Sequence, residues 1–203
     1  VTDRTHLGDV PPDWLAASTS LAQATRELVE AVALSDADAT VLDEARSEVA
    51  ALTERLRATA RPHALRPGPA DLAALRAADA GSIVVRPTNP GAVPLEISVR
   101  ADTAEATWTA GPVHEGPPGS LHGGTSASLL DSVLGTLVQV RGTPAVTGTL
   151  TVRYRRRVPL GVPLTVSAAL GERDGRRLPV TGRIEAGGEV CVEAEALFVA
   201  VER

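Results

Sequence analysis

The run Leu121-His122-Gly123-Gly124-Thr125-Ser126-Ala127-Ser128-Leu129-Leu130-Asp131 gathers the residue types of this chain best suited to chemistry. A glycine pair where a helix opens lets a ligand approach the backbone closely, and the first-turn N–H groups have no partner within the helix. Those groups stand at the positive end of the helix dipole, which suits an oxyanion or a polarised carbonyl. Asp131 follows among leucines, where a buried carboxylate is costly unless it has a task. Donors for a carbonyl oxygen and a lone acid to activate water point to acyl chemistry.

Other chemistries fit less well. Cys191 is the only cysteine in the 203 residues, so neither an internal disulfide nor a cysteine-based metal site is expected, and a lone cysteine in an alternating segment reads as a small core residue. His114, His122 and Asp131 match no usual ligand spacing, so no metal is expected. Gly124-Thr125-Ser126-Ala127-Ser128 begins like a serine-hydrolase elbow but ends in serine where the second glycine belongs, and no histidine follows His122. A formal net charge of −5 argues against nucleic acid as a general partner. Val1-Thr2-Asp3-Arg4 lacks the basic and apolar parts of a signal peptide, and no apolar run reaches membrane-spanning length. The expectation is a cytoplasmic protein without membrane contact.

The elements that must hold these residues divide into two parts. Residues 1–60 carry eleven acids and five arginines, net −6, whereas residues 61–203 carry fourteen acids and fifteen arginines, net +1. This predicts an N-terminal helical hairpin over 1–62, a linker over 63–88 with a short helix at 71–80, and a main domain over 89–203. Pro11-Pro12-Asp13 starts the first helix, with Trp14, Ala17, Leu21, Ala24, Leu28 and Ala31 at alternating spacings of three and four. Ser35-Asp36 interrupts and caps a second helix that carries Leu42, Ala45, Val49, Leu52 and Leu56. Such narrow stripes suit a hairpin covering its own domain, or a dimerisation or docking arm.

From Asn89-Pro90-Gly91 onward the period is two and predicts strands at Leu95–Arg100, Ala104–Ala110, Ala145–Arg156, Pro163–Glu172, Leu178–Ala186 and Glu189–Val201. Asp174-Gly175 and Gly187-Gly188 supply hairpin turns, and one long helix over 124–140 follows the second strand. The pattern is α+β, a sheet curled round one helix. Trp14, Trp108, Tyr154 and Phe198 are the only aromatic residues, so alanine, valine and leucine must fill the interior.

The order strand, strand, His-Gly-Gly helix with an acid nine residues after the histidine, then four strands, resembles the hotdog-fold thioesterases of the PaaI/4HBT group. Glu115-Gly116-Pro117-Pro118-Gly119-Ser120-Leu121-His122-Gly123-Gly124 is similar to that group's loop into the central helix, and the stretch from Thr147 to Gly161 resembles its next strand. The resemblance covers 89–203 and leaves the N-terminal helices outside it. It implies a hotdog fold of about six antiparallel strands round one central helix, assembled as a homodimer or homotetramer with composite sites across each dimer. It also implies hydrolysis of acyl-CoA thioesters to free acid and CoA, with coenzyme A entering only as part of the substrate. No other cofactor is expected.

Within this frame the Gly123 N–H, aided by that of Gly124, would hold the thioester carbonyl. Asp131 would act as general base or as nucleophile, and Thr147 would orient the water or Asp131. By resemblance His122 shapes the loop by binding a backbone carbonyl, with proton transfer as the alternative. Many relatives place Asn or Gln six residues before the histidine; here that substrate-binding position is Gly116, with His114, Glu115 or a loop carbonyl as substitutes. On a regular strand Arg153, Arg155 and Arg157 share the face of Thr147, Thr149 and Thr151, away from Leu150, Val152 and Tyr154. With Arg156 they form a cradle for CoA phosphates, or else a solvated sheet face.

On one regular helix, the nine residues from His122 to Asp131 turn about 900° and rise about 13.5 Å. Cradle and acid would then face opposite ways, and a two-fold partner would bring its acid to this cradle. Two other functions are open: hydrolysis of thioesters on an acyl-carrier protein, and non-catalytic acyl-CoA binding or scaffolding.

Overall fold

The computed structural model describes residues 10–65 and 86–201, so the helix expected at 71–80 and most of the expected linker lie outside the described residues. Two N-terminal helices, α1 (Pro12–Leu34) and α2 (Ala39–Arg57), precede β1 (Ser98–Arg100), β2 (Thr103–Thr109), α3 (Gly123–Val140), β3 (Ala145–Tyr154), β4 (Pro163–Leu170), β5 (Arg177–Ala186) and β6 (Glu189–Ala200). The strands form one antiparallel sheet in the order β1-β2-β4-β5-β6-β3, and α3 packs against every strand from β2 to β6. This is the hotdog arrangement expected from the resemblance.

A trough of small side chains lets α3 lie close to the sheet. Ala104, Ala168, Gly182 and Ala194 are cross-strand neighbours in one row, and a Cβ on Gly182 would stand 2.5 Å from Leu134 Cδ1. Leu129, Leu130, Val133, Leu134, Leu137 and Val138 fill that trough from the helix side, where burial is the main stabilising term. The turns follow their residues: Gly187 (φ 58°) and Gly188 (φ 83°) both adopt the left-handed region that a two-residue hairpin of this hand requires.

β3 departs from the expected alternation. Thr147 pairs with Phe198 and Thr149 with Leu197, so Gly148 is an extra residue, a β-bulge. The bulge turns Thr147 away from the face of Thr149, Thr151 and Arg153 and toward α3, opposite buried Phe198. Gly148 suits the spot because a Cβ there would lie 3.2 Å from the Leu197 carbonyl oxygen. At the other end the Arg155 and Arg156 N–H groups both donate to the Cys191 carbonyl (2.8 and 3.0 Å). Strand alternation therefore stops, and Arg157 is not aligned with Arg153 and Arg155 as expected.

The N-terminal helices form as predicted, with differences of detail. Asp38, not Asp36, caps α2, its carboxylate accepting from the Val41 N–H at 3.1 Å. The seam expected to close a hairpin stays open: Leu21 and Leu28 on α1 and Leu42, Val49 and Leu56 on α2 are exposed, and α2 buries no residue. α1 is instead held to the main domain, with Ala22 buried and Arg26 donating to the carbonyl of Asn89 at 3.0 Å. Leu65 and Arg86, both buried, are joined by a 2.7 Å bond from the guanidinium to the Leu65 carbonyl, and burial lowers the Arg86 pKa from the usual arginine value. No helix among the described residues is long and apolar enough to cross a membrane.

Candidate active site

The loop into α3 is built by its own backbone. The Gly116 N–H donates to the Ser120 carbonyl (2.9 Å), the Leu121 N–H to that of Val158 (2.9 Å) and the His122 N–H to that of His114 (2.9 Å). Gly116 lies so close to the helix entrance that a Cβ would stand 2.8 Å from His122 Cα. A side chain there would collide with backbone, so Gly116 sets the path of the loop, and its N–H is already bonded to Ser120. Glu115 is occupied too, its carboxylate accepting from the Gly119 N–H at 2.5 Å. The Nδ1 of His114 is buried with no partner among the described residues, and its ring meets Trp108 edge to face, centroids 4.8 Å apart.

His122 is the N-cap of α3, with an extended backbone (φ −62°, ψ 134°), and its Nδ1 accepts from the Gly124 N–H at 3.0 Å. It binds an amide, not the carbonyl expected, and in the neutral ring the proton sits on Nε2. The Gly124 N–H is thereby used and cannot help hold an oxyanion. The Gly123 N–H has no acceptor among the described residues and remains the donor at the head of the helix. A capping role predicts that His122→Ala costs about 1 kcal/mol in a denaturant titration and that His122→Asn recovers most of it. A large fall in turnover with stability unchanged would instead assign His122 to proton transfer.

Because His122 lies outside the helix, the half-turn between cradle and acid does not hold. Gly123 to Asp131 is eight residues, about 80° beyond two full turns, so both lie on the same side of α3. Both meet β3: the Thr147 hydroxyl donates to Asp131 Oδ1 at 2.9 Å and the Tyr154 hydroxyl to the Gly123 carbonyl at 2.8 Å. Asp131 is half-buried rather than sunk in the core. The axial separation of about 12 Å persists and is too long for donor and acid of one chain to meet on one carbonyl. The sequence places Tyr154 only on the Leu150 and Val152 face of its strand; its contact with Gly123 depends on how β3 lies along α3, which spacing does not reveal.

The arginines are largely matched by glutamates. Arg153 pairs with Glu195 (2.5 Å), Arg155 with Glu193 (2.7 Å) and Arg156 with Glu189, all exposed. Glu193 and Glu195 alternate with Ala194 and Ala196, which face α3, so Arg153 and Arg155 lie on the outer face of the sheet. Arg157 is exposed and belongs to none of these pairs. A cavity of about 1020 Å³ opens beside His122, Gly124, Thr125 and Ser128, with α1 as its opposite wall. Among the described residues no group of His, Cys, Asp and Glu is placed to hold a metal ion.

A family model described as the thioesterase superfamily matches residues 118–193. A crystal structure of a thioesterase superfamily protein is 32% identical, with a TM-score of 0.79 over 90% of this chain and 94% of that one. The acyl-coenzyme A thioesterase THEM4 of Xenopus laevis is 33% identical over 91 residues, 44% of this chain and 41% of that protein. Its Mus musculus counterpart is 34% identical over 90 residues, 43% of this chain and 39% of that protein. The chain thus spans about two fifths of the length of these curated relatives. A hypothetical thioesterase of Streptococcus pneumoniae TIGR4, solved with coenzyme A, is 20% identical with a TM-score of 0.51 over 54% of this chain and 90% of that one, a likeness of fold alone.

Proposed function

Since this chain belongs to the thioesterase superfamily, we propose that it hydrolyses acyl-CoA thioesters to the free carboxylic acid and CoA. The observation that carries the proposal is the pairing of an unused backbone donor, the Gly123 N–H, with a half-buried carboxylate oriented by Thr147 on the same side of α3. The sequence relatives named as acyl-coenzyme A thioesterases support the choice of carrier.

In this reading the thioester carbonyl oxygen accepts from the Gly123 N–H, whose alignment with the helix dipole favours the charge that develops there. Water adds to the carbonyl carbon as the partner subunit's Asp131 takes its proton. The C–S bond then breaks, and that proton passes to the departing CoA sulfur. A variant step uses the same residues: the carboxylate itself attacks the carbonyl carbon, and the C–S bond breaks to form an anhydride and CoA thiolate. Water then opens the anhydride to the free acid and the carboxylate while a proton passes to the thiolate. Thr147 is a positioning residue: its hydroxyl holds one carboxylate oxygen and leaves the other for water. The reaction needs no cofactor beyond the CoA of the substrate.

A dimer completes the site. Among the described residues β3 ends the sheet and is hydrogen-bonded on one side only, which invites pairing with a second copy. Beside it α3 leaves a stripe incompletely covered: Ala127, Asp131 and Gly135, one turn apart and outside the lining of the cavity. Gly135 costs about 1 kcal/mol relative to alanine in a helix interior, yet a Cβ there would meet only the Phe198 ring, at 3.8 Å. Nothing among the described residues requires that glycine; a partner helix at close range would. CoA phosphates would compete with Glu193 and Glu195 for Arg155 and Arg153, which leaves Arg157 as the guanidinium more readily available to them.

Thiol release from acyl groups of graded length, each presented on CoA and on an acyl-carrier protein, tests the reading. Turnover of CoA esters well above the matched carrier-protein esters is expected. The reverse preference would reassign the carrier, and binding without turnover of either would make this an acyl-CoA-binding protein.

A further inference from the structure

We propose that α1 forms one wall of the acyl pocket and selects uncharged, apolar acyl groups over those ending in a carboxylate. The inference rests on the thioesterase reading for where the carbonyl sits, and adds what lies beyond it. The 1020 Å³ cavity begins at His122 and Gly124, next to the proposed oxyanion donor, and is closed on its far side by α1. Val29 and Leu34 line it, 53% and 59% exposed, so an apolar acyl group lying there would take their surface out of water. Trp108 lines the same space from β2.

Charge decides which end of the substrate enters. Glu27 and Glu30 border the cavity from α1. Among the described residues the one arginine beside them, Arg26, is committed to the carbonyls of Pro87 (3.4 Å) and Asn89 (3.0 Å) and to the Gln23 side chain (3.0 Å). Burial lowers the Arg26 pKa while Glu27 offsets it, and the guanidinium remains a cation spent on those acceptors. The wall is thus acidic, unsuited to the phosphates of CoA and equally to a terminal carboxylate, while its apolar part suits an alkyl or aryl group. The same wall is held to the main domain by the Arg26 bonds to the Pro87 and Asn89 carbonyls. The N-terminal extension becomes part of the substrate site.

The test measures binding, so that it does not depend on turnover. Thioether analogues of acetyl-, octanoyl- and glutaryl-CoA are titrated calorimetrically into the full chain, its Val29→Trp variant and its Glu30→Lys variant. Wild type should bind the octanoyl analogue at least about tenfold tighter than the acetyl one. Val29→Trp should erase that margin while leaving the acetyl affinity in place, and Glu30→Lys should strengthen glutaryl binding about fivefold or more. The inference is overturned if Val29→Trp keeps the wild-type octanoyl-to-acetyl ratio, if Glu30→Lys leaves the glutaryl analogue unaffected, or if no analogue binds. Tight, chain-length-dependent binding of the analogues with no turnover of the matched acyl-CoA thioesters would defeat the thioesterase reading and leave the pocket assignment standing.

Discussion

Replacing Asp131 by alanine should lower kcat for acyl-CoA hydrolysis at least about a hundredfold, the scale of a general base. The fold should survive, because Asp131 is half-buried and its side chain makes one intrachain hydrogen bond, to Thr147. KM should change little, since the carbonyl donor and the acyl cavity remain. Asp131→Asn should be nearly as impaired, for an amide keeps the shape and the bond from Thr147 but takes no proton from water. Steady-state kinetics beside a thermal melt separates these expectations from simple unfolding. Full activity in Asp131→Ala would remove this carboxylate from the mechanism.

The second large effect is complementation between two dead chains. The Gly123 N–H is best removed by Gly123→Pro: the position is the first of the helix, where proline is accepted, and the extended backbone of His122 suits a residue before proline. The ring of Tyr154 would stand 3.3 Å from the new Cβ and must give by a few tenths of an ångström. Gly123→Pro and Asp131→Ala should each be inactive alone. Refolded together in equal amounts they should regain up to about a quarter of wild-type activity, because half of the dimers are mixed and each mixed dimer holds one intact composite site. Sites contained in one chain would give no recovery, and then the separation of about 12 Å between donor and acid would need a different explanation.

Much of the architecture is written locally. Period-two segments became strands within a few residues of their predicted ends, and the paired glycines 187 and 188 turn the β5–β6 hairpin with the positive φ they alone adopt without strain. β1 is the exception: predicted from Leu95, it begins at Ser98, and Leu95 is buried without joining the ladder. Leu95 follows Pro94, and burial of a leucine does not require a strand. The two N-terminal stripes predicted helices correctly but not their partners, because a narrow apolar stripe states that something packs on it and not what.

The sequence by itself determined the central helix, the glycine-headed donor at its start, the acid two turns along it and the sheet meant to wrap it, since each depends on residues close in the chain. The tertiary structure decided which of these groups meet. The bulge at Gly148 arises from pairing with β6 and brings Thr147 to Asp131, where unbroken alternation would have sent it to the far face with Arg153. Folding of the loop against the helix entrance used the Gly124 N–H on His122 and left that of Gly123 open. Glutamates from β6, some forty residues away in sequence, met Arg153 and Arg155. α1 became a wall of the cavity through contacts that span more than sixty residues, as from Arg26 to Asn89. Local patterns specify which groups a chain carries and which way each element faces; long-range pairing sets which of them are already spent on one another, and so which remain for a substrate.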